Sequence, residues 1–459
     1  MSYIPSIGLT VWLVILATGP VNAQNSLPAI SEIELELEKT RGAIRALEFR
    51  GDRLDRRLLE PLDQFGQQLM NAGENDEADA VLDQAVQITR VSEGLYSINQ
   101  FPILQRRIEN YAYQGDWESA RESIEHFSWI LTRGANEIND ELLASILSVV
   151  DIHLWGIASD QIQLQDYHFR NARRMNNIAI RAATRAWSEN DRRLPALHYK
   201  LVIQLYLQAT AVEVGAPSGI SLRRYSETGL ALTKKQARQS YFYTGLGLLT
   251  RNLNVYANQP SPDLEGMALT HSYIGDWNVM FGNAADAAAA YSRSNALLLE
   301  AGIEEQQINQ FFAKPRLLPA LDFVDNWSSA MAGLDKPSDT GLEGAGSPVF
   351  NFQQWSLTYP HHLAPVALGT EPITSPAEDY AQYSFSLAGL EDNVHKYQGK
   401  TKKAVSSPQN LELLSQNFNE PIDRMELENA IMDFHFRPRL VNGIPQPVNA
   451  TIIYQLASQ

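Results

Sequence analysis

Apolar side chains recur at steps of three and four residues through most of the first 332 positions, which is the spacing of one face of an α-helix. Between residues 31 and 60 the recurring positions are Ile33, Leu37, Ile44, Leu47, Leu54 and Leu58. This pattern predicts an N-terminal helical segment over residues 24–60 that packs against the elements after it. A coiled-coil arm is the alternative interpretation, although few of its heptads are complete.

A finer pattern of small and large residues follows between residues 62 and 90. The small positions are Gly66, Ala78 and Ala85, and the large ones are Leu62, Leu69 and Leu82. Small residues let two antiparallel helices approach closely, and the leucines fill the space between them. Gly73 falls where the turn between the helices needs a permissive backbone. The segment therefore predicts a pair of packed helices.

The same pattern returns further along the chain. Gly115 lies 42 residues after Gly73, and Gly275 precedes Gly282 by the seven residues that separate Gly66 from Gly73. The small residues that follow the turns are Ala78, Ala120 and Ala287. This arrangement resembles the tetratricopeptide repeat, whose usual period is about 34 residues.

The repeat resemblance implies a fold class and a domain. We expect a mainly α protein in which a tetratricopeptide-like α-solenoid occupies residues 61–332. Residues 135–260 keep helical spacing without clear repeats, and they predict four to six helices. Several stacked pairs are needed because one helix pair cannot bury its own apolar face.

The composition changes at Gly333. Residues 333–378 are rich in glycine and proline, which predicts a linker with extended segments. Phe350, Phe352, Trp355 and Tyr359 within this linker indicate that part of it docks onto a domain.

Residues 379–459 change to a period of two. Apolar positions alternate with polar ones at Ala381, Tyr383, Phe385 and Leu387. This alternation predicts a half-buried strand over residues 380–387. We expect residues 392–397 to continue a hairpin from that strand, and a polar insert to follow over about 399–419.

A helix and two strands are predicted after this insert. Pro421 is suited to a first helical turn, and the buried face of this helix comprises Leu427, Ile431 and Phe434. Strands over residues 437–441 and 448–456 are predicted on either side of Asn442-Gly443, a pair that suits a two-residue hairpin turn because both residues tolerate positive φ. Pro445 and Pro447 delay the second strand to about Val448.

The order of these elements, with Phe436-Arg437-Pro438 after the helix and Asn442-Gly443 after that, resembles the C-terminal domain of the TonB family. The resemblance covers residues 379–459 and implies a small periplasmic α+β domain. It also implies that one sheet edge accepts an extended peptide from an outer-membrane receptor by strand addition. Carried over to this chain, the accepting edge strand comprises Val448, Asn449, Ala450, Thr451, Ile452, Ile453 and Tyr454. The insert before Pro421 departs from the compact family pattern.

The N-terminus predicts export. Residues 7–17 form a short apolar run, which Gly19-Pro20 ends before the small residues around Ala23. This order predicts a signal peptide over residues 1–23 and a periplasmic location. The run is shorter than the ~20 residues of a spanning helix. An uncleaved membrane anchor is the alternative, and residues 2–8 lack the Lys or Arg usual in a signal peptide.

Composition excludes several functions. The chain carries 53 acidic and 37 basic residues, with a net charge of −16, which argues against a nucleic-acid partner. It contains no cysteine, which excludes disulfides, thiolate metal sites and a cysteine nucleophile. We find no nucleotide-binding, hydrolase or metalloprotease motif. His361-His362 lacks partner ligands at known spacing. The sequence therefore predicts no catalytic residue, no cofactor and no metal.

Three hypotheses follow. The preferred one is a periplasmic, non-enzymatic scaffold that binds protein or peptide partners of the cell envelope, including a TonB-dependent outer-membrane receptor. The second is a membrane-anchored energy transducer of the TonB type for transmembrane transport, which would require residues 1–23 to remain attached. The third is an enzyme or sugar-binding protein with a site on the middle helices.

Overall fold

The computed structural model describes residues 32–134, 139–215, 218–219, 233–320, 323–332, 349–353, 380–390, 392–397, 400–417 and 424–455. Within these ranges the protein is mainly helical and carries a small β part towards its C-terminal end. The helices in chain order are α1 (Glu32–Arg50), α2 (Leu59–Asn71), α3 (Asn75–Glu93), α4 (Phe101–Tyr113), α5 (Trp117–Gly134), α6 (Asp140–Ser159), α7 (Gln165–Trp187), α8 (Leu194–Val214), α9 (Lys234–Ala257), α10 (Leu264–Met280), α11 (Ala284–Glu300), α12 (Glu305–Phe311), α13 (Trp327–Ala332) and α14 (Arg424–Met432). The strands are β1 (Arg316–Leu318), β2 (Val349–Gln353), β3 (Tyr380–Leu387), β4 (Asp392–Tyr397), β5 (Lys400–Val405), β6 (Gln409–Asn417), β7 (His435–Arg437), β8 (Arg439–Val441), β9 (Ile444–Gln446) and β10 (Val448–Gln455).

Close approach between paired helices depends on glycine at equivalent positions. A Cβ on Gly66 in α2 would lie 2.6 Å from Leu82 Cδ2 in α3. A Cβ on Gly275 in α10 would lie 2.4 Å from Tyr291 Cε1 in α11. In both pairs the contacted residue stands 16 positions after the glycine. The repeated sequence spacing therefore corresponds to a repeated contact.

The turns between these helices also depend on glycine. Gly73, Gly115 and Gly282 have φ angles of +79°, +73° and +81°, a region that a residue with a Cβ rarely adopts. Ala78 and Ala287, in the first turns of the following helices, are fully buried. The predicted helix pairs around these residues are confirmed.

Among the described residues between positions 135 and 260 there are four α-helices, α6 to α9, which agrees with the expectation for this range. Among the described residues α6 is long and apolar enough to cross a membrane, by length and composition, with a mean hydropathy of 1.7 over the best window. Inside the protein, 56% of that window is buried, as expected of a core helix.

A four-stranded sheet of order β2-β10-β3-β6 forms the C-terminal part. β3 pairs antiparallel with both β10 and β6. The alternating residues of β3 that were predicted to be buried are buried: Ala381, Tyr383, Phe385 and Leu387. They form a core with Ile431 of α14 and Ile452 of β10.

Two expectations for this region are wrong. Strand β4 forms its hairpin with β5 and not with β3. The segment interpreted as a polar insert contains β5 and also β6, which pairs with β3. Leu411 and Leu413 alternate along β6 and pack against the core, a signal that is short and set among polar residues.

The helical and β regions are also less separate than the predicted boundaries imply. β1 lies within the range predicted to be helical, and it pairs antiparallel with β7 of the C-terminal part. The predicted hairpin turn is confirmed at Asn442 and Gly443, whose φ angles are +53° and +74°. The strand that pairs with β8 across this turn is β9, however, and the strand predicted from Val448 onwards, β10, pairs with β3 and β2 instead. The predicted signal peptide, most of the linker and His361-His362 lie outside the described residues.

Candidate functional site

The Phe-Arg-Pro segment fixes the C-terminal sheet to the helical part. From β7, Arg437 reaches α10, where Nε donates to Asp276 Oδ1 at 2.8 Å and Nη2 donates to Oδ2 at 2.5 Å. Only 4% of the Arg437 side chain and 2% of the Asp276 side chain are exposed. Tyr291 of α11 donates its hydroxyl to Asp276 Oδ1 at 2.8 Å. This bidentate geometry with a third donor is what makes a buried charge pair tolerable.

Burial and charge act in opposite directions on Arg437. Burial alone lowers the pKa of the guanidinium, but the Asp276 carboxylate outweighs burial and the pKa is raised overall. For Tyr291, burial first and Asp276 second raise the pKa of the hydroxyl well above its usual value. Arg437 therefore stays charged and Tyr291 stays neutral across the physiological range.

Backbone and amide contacts extend this docked surface. Leu440 N–H donates to Phe312 O at 2.9 Å, just before the β8–β9 turn. At the turn, Asn309 and Asn442 exchange two hydrogen bonds: Asn309 Nδ2 donates to Asn442 Oδ1 at 2.7 Å, and Asn442 N–H donates to Asn309 Oδ1 at 2.8 Å. The β8–β9 hairpin is thus bound to the helical part both through strand β8 and through its turn.

The expectation that β10 is an open edge is wrong. The predicted edge residues, Val448 to Tyr454, lie in a strand that pairs with β3 on one side and with β2 on the other. β2 comes from the segment interpreted as a linker, so the docking of part of that segment is confirmed. Any strand added at β10 must take the place of β2.

A cleft of about 320 Å³ opens among the N-terminal ends of α2, α4 and α6. Phe101, Ile103 and Leu142 give it an apolar floor. Its rim carries Arg56, Glu60, Asp63, Glu93 and Glu141. Glu93 pairs with Arg56 at 2.7 Å, and Asp63 pairs with Arg106. Glu60 and Glu141 form no hydrogen bond or ion pair with another described residue, although the charge of Glu141 acts on nearby Arg106, where it opposes the lowering of the pKa by burial.

A buried histidine cluster lies between α6 and α7. His153 Nδ1 and His168 Nδ1 are 3.0 Å apart, and His168 Nε2 donates to Asp160 Oδ2 at 2.9 Å. Arg121 pairs with the same carboxylate oxygen. Because neutral His168 has its single N–H on Nε2, its Nδ1 accepts from His153. This leaves His153 Nε2 as a buried lone pair without a hydrogen-bond partner.

Burial sets the charge state of this cluster. It lowers the pKa of His153 well below its usual value, and the neighbouring His168 adds to that effect. Burial also lowers the pKa of His168, although Asp160 opposes it. Both histidine side chains are fully buried, so a substrate has no route to them. Among the described residues no group of three or more His, Asp or Glu could hold a metal ion.

The structure separates the predicted motif residues into two groups. One group forms or adjoins the docked surface: Phe436, Arg437, Pro438, Asn442, Gly443 and Gly275. The other comprises Gly66 and Ala78, which belong to the first helix pair, and Ala287 is buried at the equivalent place in α11 within the helical core. Gly275 and Arg437 meet at the same place because Gly275 leaves room for the Tyr291 ring and precedes Asp276.

Sequence reasoning missed Asp276, and it interpreted His153 and His168 only as packing or surface histidines of the helices. Each is a polar residue at a core position of an otherwise apolar helix face, and that pattern was the available signal. The partner of Asp276 stands 161 residues away, so spacing could not identify it.

No family model matches the chain, and no curated protein matches it. Among solved structures, the crystal structure of BtubC (BKLC) from P. vanneervenii is similar over 59% of this chain and 93% of that chain. The two are 14% identical with a TM-score of 0.36, a likeness too low to carry an argument about fold or function.

Proposed function

We propose that this protein is a non-enzymatic binding scaffold of the bacterial envelope. In this proposal the helix pairs form a tetratricopeptide-like α-solenoid, and the C-terminal sheet is a TonB-like module. Repeated glycine contacts between paired helices and the Phe-Arg-Pro segment before the β8–β9 hairpin support this architecture. The partners are extended segments of envelope proteins, and a TonB-dependent outer-membrane receptor is the first to test.

The cleft among α2, α4 and α6 is the observation that carries the proposal. Its apolar floor suits aliphatic or aromatic side chains, and the carboxylates of Glu60 and Glu141 suit Lys or Arg on the same segment. Binding pockets commonly combine an apolar lining with a few placed polar groups. The ligand class is therefore an extended, basic and partly apolar peptide.

Binding is favoured over catalysis by the chemistry of the buried groups. The histidine–carboxylate cluster is closed to substrate, and the Arg437–Asp276 pair is fully engaged in holding two parts of the chain together.

The proposed export depends on residues 1–23. N-terminal sequencing of protein from cell fractions tests it: a start at Gln24 supports a periplasmic scaffold, and an intact N-terminus in the membrane fraction supports the transducer.

Fluorescence anisotropy with labelled peptides tests the cleft. A peptide with alternating Lys and Leu should bind more tightly than the same peptide with Glu in place of Lys, and added salt should weaken its binding. Glu60→Gln with Glu141→Gln should weaken binding about tenfold, since each exposed contact contributes up to ~1 kcal/mol. Glu118→Gln with Glu122→Gln removes two exposed charges from α5 and serves as the matched control. Equal loss in both double variants would contradict binding at the cleft.

A further inference from the structure

The four-stranded sheet has two sides at which another strand could add, and the chain treats them differently. β6 ends the sheet beyond β3, and its pairing shifts register near Tyr383 and again near Ser386. Irregular pairing of this kind protects an edge against further strands. The opposite side of the sheet is formed by β2, a strand that the chain itself adds beside β10.

β2 is the more weakly held of the two strands beside β10. It pairs in parallel over five positions, from Val349 opposite Thr451 to Gln353 opposite Gln455. β3 pairs antiparallel with β10 over eight positions. Parallel pairing is slightly less stable per residue than antiparallel pairing. Length and direction therefore both make β2 the strand that leaves first.

β10 is held in place without β2. Ala450 and Ile452 are buried in the core that β10 shares with β3 and α14, where Phe385 and Ile431 also lie. When β2 leaves, β10 stays in the sheet and presents unpaired backbone N–H and C=O groups. Such a row is a template for another extended chain.

β2 is separated in sequence from the elements before and after it. Sixteen residues separate β2 from the end of α13, and twenty-six separate it from the start of β3. A strand that is covalently tethered beside its site by flexible linkers has an effective concentration of the order of millimolar. A competing strand must overcome that concentration before it occupies β10.

We propose that β2 is a resident occupant that gates the β10 edge: it covers the edge in the free protein, and an extended strand of a partner replaces it. This inference rests on the proposed binding function and adds the regulation of the sheet module. The competing strand runs parallel to β10, as β2 does. It carries apolar residues two apart, as Phe350 and Phe352 do at the positions opposite Ile452 and Tyr454.

The test uses the full chain and a fluorescent peptide of residues 347–355 as the probe. An open variant lacks residues 349–353, and Phe350→Gly with Phe352→Gly provides a second one of unchanged length. A closed variant carries Gln353→Cys with Gln455→Cys, two positions in register. Because the natural chain has no cysteine, only the introduced pair can form a disulfide. Circular dichroism checks that each variant is folded.

The open variants should bind the probe at least tenfold more tightly than the natural chain, the factor expected if β2 is displaced a tenth of the time or less. The closed variant should not bind under oxidising conditions and should recover natural binding when reduced. The gate would be overturned if the natural chain and the open variants bound the probe with equal affinity. It would also be overturned if the oxidised closed variant bound the probe as tightly as the natural chain. Folded open variants that fail to bind would also overturn it. The basic peptide should bind at the cleft equally well in the natural chain and in every variant. If it bound to none of them, the proposed function would be contradicted, whatever the result at β10.

Discussion

Two buried polar clusters hold this protein in opposite ways. The Arg437–Asp276–Tyr291 cluster is charged, joins residues 161 positions apart, and engages both carboxylate oxygens. The cluster of His153 and His168 is held neutral by burial, joins neighbouring helices, and leaves one ring nitrogen without a partner. The first fixes the sheet to the helical part through charge. The second makes the helical layer sensitive to added charge.

Removal of Arg437 should have the largest effect. Arg437→Ala leaves the Asp276 carboxylate buried and without its ion pair, which should lower the free energy of unfolding by about 3–5 kcal/mol. Urea unfolding followed by circular dichroism measures the loss. Arg439→Ala, at an exposed position of the adjacent strand, is the control. If the two variants unfolded at the same urea concentration, the buried pair would not hold the two parts together.

Crowding the same cluster should have the next largest effect. Gly275→Ala places a methyl group 2.4 Å from the Tyr291 ring, which must move and weaken its hydrogen bond to Asp276. Overpacking of this kind costs about 1–3 kcal/mol. Gly247→Ala is the control, because a Cβ there meets nothing within 4 Å and alanine favours a helix by ~0.5–1 kcal/mol. Thermal melting should therefore show opposite shifts, and a stabilised Gly275→Ala would refute the contact.

The same contrast explains what could be predicted from sequence. Helix pairs repeat over short spacings, so Gly66 and Gly275 could be matched by offset alone. The alternation in β3 gave its bounds and its buried face. Strand neighbours depend on pairing between distant segments, and no local pattern indicated that residues 349–353 would cover β10. Arg437 belongs to the predicted Phe-Arg-Pro motif, but its role is to form an ion pair with Asp276. The position of Asp276 in the sequence gives no indication of that pairing.

Acid should destabilise the protein through the histidine cluster. Because burial lowers the pKa values of His153 and His168 in the folded state, the unfolded chain binds more protons once the pH falls below about 6.5. Stability is therefore retained above that pH and lost below it. Between pH 6.5 and pH 5 the loss should be about 1–2 kcal/mol for each histidine that stays neutral.

Urea unfolding at several pH values measures this loss, and His153→Leu isolates the share of one histidine. The variant should show a shallower decline below pH 6.5 than the natural chain. Arg439→Ala should keep the natural decline because it removes no group that titrates in this range. An unchanged decline in His153→Leu would show that the cluster is not the source of the acid sensitivity.

The tip of the β8–β9 hairpin should show the smallest effect and sharpens the comparison further. Asn309→Ala removes both hydrogen bonds to Asn442. These bonds lie at the exposed end of the contact whose buried part contains the Arg437–Asp276 pair. Because these groups are exposed, water replaces the lost partners, and the free energy of unfolding should fall by ~1 kcal/mol or less. Combining Asn309→Ala with Arg437→Ala tests whether the surface acts as one unit. If the double variant lost only as much stability as Arg437→Ala alone, the tip would already be released when the buried pair is broken, and the charged cluster would control the whole docked surface.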